Sequence, residues 1–170
     1  MDIGVDEINQ YFVNMGNGSD IDTEELNYFL SNKRQNVEGF SFSLVTEEKV
    51  KKIMNEIKSR AVGSDGISIE MIKAVSPYAL KAITYLMNES LRKGEFPKAW
   101  KMSIVHPLPK VTAPTSVQKL RPISILPAMS KILEKIVDMQ MGQYMERKKI
   151  LPSLQSGFRS NQSTGTALVN

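Results

Sequence analysis

The chain contains no cysteine, a single histidine and a single tryptophan among its 170 residues. Without cysteine there can be no disulfide and no thiolate metal site, and an intracellular setting is expected. The lone His106 excludes a multi-histidine metal centre. No apolar run approaches the roughly 20 residues of a membrane-spanning helix. The acidic opening MDIGVDE has neither the basic nor the apolar region of a signal peptide, so no leader is expected. A G-x-x-x-x-G-K-[ST] loop is missing, which leaves an ordinary P-loop nucleotide enzyme unsupported. There are no internal repeats and no low-complexity tracts.

What is present suits one soluble globular domain or a piece of a larger protein. Hydrophobic residues make up 41% of the chain and charged residues 24%, enough for a core. The net charge of +4 is unevenly spread: residues 1–45 sum to −6 and residues 46–170 to +10. A segment that basic attracts polyanions, with nucleic acid the default partner. Lysine-rich, solvated helix faces are the competing reading.

In the first 45 residues, Ile8, Tyr11, Phe12 and Met15 fall at helical spacing, and so do Leu26, Phe29 and Leu30. A linker, MGNGSD, separates them, and Asp22 or Thr23 can cap the second helix. NKRQNVEGFSFS reads as a loop. Thr46 then caps a helix expected to run to Arg60, with Val50, Ile53, Met54 and Ile57 as its apolar stripe. GSDGIS is a turn. Ile67–Val75 reads as a short helix. Ser76-Pro77 reads as the start of another, with serine at the cap and proline at the first position. Leu80, Ile83, Met87, Ser90 and Leu91 mark its buried face, and Gly94 ends it. MSIVHPL and Leu120–Leu126 read as two extended runs. Met129–Met145 is a long helix, Lys148–Thr164 a basic loop, and Ser163 or Thr164 opens a further helix.

Pro107–Ile136 is the segment richest in chemistry. Folded back as a hairpin, it brings Lys110 and Arg121 to the same end of a two-stranded ribbon. Arginine binds phosphate through two hydrogen bonds and lysine adds a mobile point charge, so the pair can clamp phosphates. The alternative is two solvated side chains beside a turn. In QSGFR, Gln155–Arg159, Gly157 permits a tight turn, Phe158 offers a stacking face and Arg159 a phosphate contact. An irregular loop with a buried phenylalanine competes with that reading. Carboxylates are sparse after Glu95: only Glu134, Asp138 and Glu146 remain. Glu134 and Asp138 share a helix face with Lys131 and Lys135, which reads as ion pairing rather than a metal site. Asp20 and Asp22 fit capping, and Asp65-Gly66 a turn. Phe96 and Trp100 in FPKAWK fit a helix-to-strand corner on the core. His106 has no assigned role.

Four blocks in order are TEEKVKKIMNEIKSRAVGSDGIS, MNESLRKGEFPKAWKMSIVHPLPK, LRPISILPAMSKILEKIV and LQSGFRSNQST. Together they resemble the N-terminal, fingers part of a reverse transcriptase from a non-LTR, jockey-like retrotransposon, over roughly Phe42 to Leu168. The resemblance implies a helix-rich α+β fingers module of a right-hand polymerase with a small antiparallel hairpin. Residues 1–45 would be an acidic N-terminal extension and residues 46–170 a partial reverse transcriptase domain. Lys110 and Arg121 would contact the triphosphate of the incoming dNTP, and Gln155, Gly157, Phe158 and Arg159 would lie near template. The family's partners are an RNA template and a DNA primer, and no membrane role is implied. The family works with Mg2+ held by aspartates in blocks downstream of QSGFR; none is matched here, and no metal is expected on this chain. Palm and thumb are expected to be missing, so reverse transcription by this polypeptide alone is not expected. A cytoplasmic or nuclear location would follow. Ala61-Val62 stand where the family more usually has a lysine. A non-catalytic nucleic-acid-binding module and a non-functional remnant of a mobile element are the other readings.

Overall fold

The computed structural model describes residues 3–15, 23–31, 39–152, 155–159 and 162–169. Residues 16–22, which hold most of the expected linker with Asp20 and Asp22, lie outside the described residues. So do residues 32–38 of the expected loop after the second helix, and the side chains of Phe29 and Leu30. The described elements are α1 (Val5–Asn14), α2 (Thr23–Ser31), α3 (Glu47–Glu56), α4 (Ile69–Lys93), β1 (Ile104–Pro109), β2 (Leu120–Ile125), α5 (Ala128–Arg147) and α6 (Thr164–Val169). Short 3-10 turns at Lys98–Lys101 and Val117–Lys119 precede the two strands. The chain is thus helix-rich with one small antiparallel sheet.

The core lies among α3, α4 and α5. Val50, Ile53 and Met54 from α3 meet Ile69, Ile72, Ile83, Met87 and Leu91 from α4. Ala128, Ile132, Leu133 and Ile136 from α5 complete the cluster. Phe96 and Trp100 pack against it edge to face, their centroids 6.4 Å apart, as the corner reading expected.

Thr46 caps α3 as its sequence indicates, its Oγ1 accepting from the Lys49 N–H at 3.3 Å. The helix stops at Glu56 rather than Arg60, because tertiary bonds capture the following carbonyls. Lys73 Nζ donates to the Ile57 carbonyl at 3.1 Å and Lys131 Nζ to that of Ala61 at 2.7 Å.

The larger correction concerns α4. Two helices were expected, the second starting at Ser76-Pro77, and one continuous 25-residue helix is found, capped by Ser68. Proline at position 77 removes the N–H that would bond to the Lys73 carbonyl. Ser76 Oγ donates to that carbonyl at 2.8 Å, so the group left without its usual partner is satisfied locally. Ile69, Ile72, Ile83, Met87 and Leu91 form one buried stripe on both sides of the proline. Burying that stripe against two helices outweighs the break. Gly94 ends α4 in the left-handed region at φ 66, as expected.

Before α3, an extended strap crosses the helices with side-chain amides standing in for a neighbouring strand. Asn88 of α4 accepts from the Val45 N–H at 2.8 Å and donates to the Val45 carbonyl at 2.9 Å. Gln140 of α5 does the same for Ser43, at 2.8 and 2.9 Å.

β1 and β2 pair from Ile104↔Ile125 to Pro109↔Leu120. Ile104, Val105, Leu108 and Ile123 are all exposed, so both faces of the ribbon meet solvent. A lone two-stranded ribbon is marginal in water, and this one depends on its loop end, where Leu120 and Val117 are buried and α1 touches the turn, and on its feet. The GSDG turn holds both of them. Ser64 Oγ donates to the Met102 carbonyl at 3.4 Å, and a Cβ on Gly63 would stand 2.6 Å from the Pro127 nitrogen. The turn itself is closed by the Gly66 N–H on the Gly63 carbonyl at 3.1 Å and by Asp65 Oδ1 accepting from Ile67 N–H at 3.1 Å.

Gly63→Ala is therefore expected to destabilise the chain by about 1–3 kcal/mol through backbone overlap. Gly66→Ala, where a Cβ would meet open space but φ is 73, should cost about 1 kcal/mol. Urea melts of both variants check the ranking; equal or reversed losses would contradict the close-packing account.

Candidate functional site

The hairpin register decides how the two sequence-predicted cations sit. Arg121 is opposite Leu108, and the Lys110 N–H donates to the Lys119 carbonyl at 2.8 Å, extending the ladder one step past β1. Lys110 and Arg121 are thus diagonal neighbours at the loop end of the ribbon, about 7–8 Å apart at their backbones. Lys119 joins them. All three are exposed.

Their side chains differ in commitment. Lys110 Nζ donates to the Gln118 carbonyl at 2.8 Å, which leaves two of its three protons free. Lys119 Nζ donates to Thr115 Oγ1 at 3.0 Å. The Arg121 guanidinium makes no hydrogen bond or ion pair among the described residues. The sequence from Phe96 to Leu133 contains six lysines and arginines and no carboxylate, so no anion nearby in sequence competes for these cations, although α1, with Asp6 and Glu7 in its first turn, touches the turn at Val117–Lys119. The loop they frame bends at Ala113, φ 52, just before Pro114. Chemically the ribbon end is an exposed cationic patch able to accept phosphate oxygens.

The QSGFR segment is organised differently from its sequence reading. Arg159, expected to be available for phosphate, grips its own chain. Its Nε and Nη2 donate to the two oxygens of Glu146 at 2.8 Å each, and Nη1 to the carbonyls of Pro152 and Gln155 at 3.0 and 3.4 Å. Gln155 Nε2 donates to the Gly157 carbonyl at 3.3 Å. Gly157 does not take the left-handed conformation, and a Cβ there would meet nothing. Phe158 takes it instead, at φ 59, costing of order 1–2 kcal/mol for a bulky side chain. The ring is fully exposed at 112%, so the buried-phenylalanine alternative is overturned. Local backbone strain that presents an aromatic ring to solvent is the kind of feature found at binding surfaces.

Glu146 was not singled out as Arg159's partner. A signal was there: a carboxylate in the last turn of α5 faces the negative end of the helix and is poorly placed without a cation. Asn88, Gln140 and Gly63 were missed too, since nothing local marks an amide or glycine that acts across tens of residues. Of the other carboxylates, Glu134 accepts from Ser130 Oγ at 2.9 Å and Asp138 pairs with Lys135 at 3.3 Å. Lys131, expected beside them, turns to Ala61 instead. Among the described residues no three His, Asp or Glu side chains gather where a metal ion could be held, so the residues present do not fit a magnesium site. Among them, too, no helix is long and apolar enough to cross a membrane.

Hydrogen bonding from Arg159 holds the Glu146 carboxyl below its usual 4.5, aided by the guanidinium charge and opposed by desolvation. A depressed carboxylate stabilises the fold above its unfolded value, and that contribution is lost as pH falls through the folded value. Arg159 is shifted upward and stays charged throughout the accessible range. Acid should therefore release the Pro152–Arg159 loop, seen as loss of the protected Arg159 Nε–H resonance, and Glu146→Gln should abolish that transition. The same variant should speed tryptic cleavage after Arg159 at neutral pH by roughly threefold or more. An unchanged cleavage rate would mean the pair does not hold the loop.

No family model matches the chain. It is 32% identical over 124 residues to the RNA-directed DNA polymerase from mobile element jockey of Drosophila melanogaster, which covers 72% of this chain and 14% of that protein. It is 33% identical over 121 residues to the probable RNA-directed DNA polymerase from transposon BS of the same organism, covering 68% of this chain and 13% of the relative. The jockey polymerase of Drosophila funebris is 33% identical over 122 residues, 71% of this chain and 13% of its own length. The chain spans about 14% of the length of the curated relatives it matches. By this similarity the chain belongs to the reverse transcriptases, or RNA-directed DNA polymerases, of jockey-like non-LTR retrotransposons, and corresponds to a part of such a protein.

Proposed function

We propose that the chain is the fingers portion of a right-hand RNA-directed DNA polymerase. In this reading residues 46–170 are a partial reverse transcriptase domain and residues 1–45 an acidic extension. The palm, the thumb and the metal-binding aspartates belong to sequence outside these 170 residues. The partners are an RNA template, a DNA primer and a deoxynucleoside triphosphate. Magnesium chemistry belongs to that other sequence.

The observation that supports this most is the hairpin end. Lys110 and Arg121 sit diagonally across the ladder, two steps apart, exposed, with no carboxylate in the surrounding sequence. Arg121 has all five donors available for a bidentate grip on phosphate. Lys110 can contact a second oxygen without giving up the Gln118 carbonyl. Together they would neutralise a triphosphate and orient it for attack on its α-phosphate by a primer hydroxyl. Phe158, free and rigidly placed, would offer a stacking face to the template.

In an enzyme completed with the missing portion, Arg121→Ala should raise the nucleotide KM or lower kcat by roughly 10- to 100-fold, from the ~1.5–3 kcal/mol of hydrogen bonds to a charged group. Arg121→Lys should restore only part of this, since it keeps the charge and loses the fork. Wild-type kinetics for Arg121→Ala would sink the assignment. The 170-residue chain should itself bind RNA at low salt and release it steeply as salt rises.

A further inference from the structure

An open cleft of about 560 Å³ lies between the extended strap and the C-terminal half of α5, where α3 begins. Phe40 and Tyr144 line it, their centroids 5.1 Å apart and their planes tilted by 57°. Phe42 buttresses Phe40 edge-on at 4.7 Å. Lys49 and Arg147 line it as well, and neither has an ion-pair partner among the described residues. Among the described residues no carboxylate lines the cleft; Glu47 and Glu48, on the first turn of α3, lie outside the lining, and Glu56, Asp138 and Glu146 line a neighbouring cleft that Lys49 also borders. Gln143 adds a side-chain amide that is open to solvent.

The strap that forms one wall is fixed in place. The Gln140 amide holds Ser43 by both its N–H and its carbonyl, and Asn88 holds Val45 in the same way. The aromatic wall is therefore set before any ligand arrives. Aromatic faces beside uncompensated cations, in a groove too open for a small hydrophobic ligand, match the chemistry of an unpaired base and its flanking phosphates.

We propose that this cleft is a second nucleic-acid subsite, which takes single-stranded polynucleotide by stacking a base on Phe40 or Tyr144 and pairing phosphates with Lys49 and Arg147. It deepens the nucleic-acid reading above but rests on different residues from the hairpin. A duplex does not fit this chemistry, because its bases are already stacked and its rings are not offered to the wall.

The test uses the whole 170-residue chain and a short fluorescein-labelled oligouridylate, read by fluorescence anisotropy across a salt series. Lys49→Gln/Arg147→Gln should weaken binding roughly ten-fold at low salt. It should also lower the slope of log affinity against log salt by about 1.4, two single-strand phosphate contacts at ~0.7 each. Arg147 is exposed and Lys49 half-buried, and an unaltered thermal melt confirms that the fold survives. A 4-thiouridine version of the probe should crosslink to the peptide holding Phe40 or to that holding Tyr144. Wild-type affinity and slope in the double variant would overturn the proposal, as would crosslinks found only at the hairpin or at Phe158. A companion variant, Lys110→Gln/Arg121→Gln, separates the two readings. Binding lost only there removes the cleft; binding lost only in the cleft variant supports it and leaves the hairpin to the nucleotide kinetics of the completed enzyme. No binding by the wild-type chain removes the cleft, while the nucleotide kinetics of the completed enzyme still test the hairpin.

Discussion

The grip of the GSDG turn on both feet of the hairpin is the constraint on which the position of its cationic end depends. Most of the ribbon meets solvent on both faces, with only Leu120 and the preceding Val117 buried, beside α1 at the loop end, so its strands alone fix its direction poorly. Its entering strand is tied at Met102 by Ser64, and its leaving strand runs against Gly63 at Leu126 and Pro127. Any side chain at position 63 would have to displace backbone, and backbone at the start of α5 cannot move without disturbing Ala128 and Ile132 in the core. The turn therefore couples the position of Lys110 and Arg121 to the three-helix core. A loop far from both cations in sequence sets where they are presented.

Much of this fold was legible in local sequence, for identifiable reasons. The Thr46 cap, the Gly94 stop, the hairpin and the α5 stripe depend on contacts within a few residues, and periodicity reports those directly. Ser76-Pro77 misled because it satisfies a local rule for a helix start. The same serine also satisfies the carbonyl that an interior proline frees, and the two arrangements look alike until the buried stripe on both sides is considered. The stripe keeps its phase from Ile69 to Leu91, which two separate helices would have no reason to do. The strap is harder. Asn88 and Gln140 resemble ordinary polar positions on helices, and their role appears only when Val45 and Ser43, 43 and 97 residues away, are brought beside them.

The candidate site divides along the same line. Register brought Lys110 and Arg121 together because a hairpin is a local structure. In QSGFR, the local arrangement differs from the one residue types suggest in two respects. The glycine looked like the conformationally special residue, yet Phe158 has the positive φ. The arginine looked like the free cation, yet Glu146, contributed from α5, occupies it. The two findings are connected. Arg159 anchors the loop from one side, and that anchoring holds its neighbour Phe158 in a conformation it would not adopt alone.

Charge distribution then relates these pieces to one another. Two groups of cations stand out among the described residues. Arg159, Arg92 and Lys135 are neutralised by Glu146, Glu89 and Asp138 and serve the fold. Lys110, Arg121, Lys49 and Arg147 have no anionic partner within the described chain. A folded protein holding like charges uncompensated loses some stability to self-repulsion, and binding a polyanion removes that cost. These four stand beside an exposed ribbon end and an aromatic cleft, while Lys51, Lys52, Lys81 and Lys98 lie exposed elsewhere, also without an ion pair among the described residues. In the proposed reading, the ribbon end and the cleft are the two surfaces where cations and an exposed or aromatic wall coincide, and these are the ones left for phosphate to neutralise.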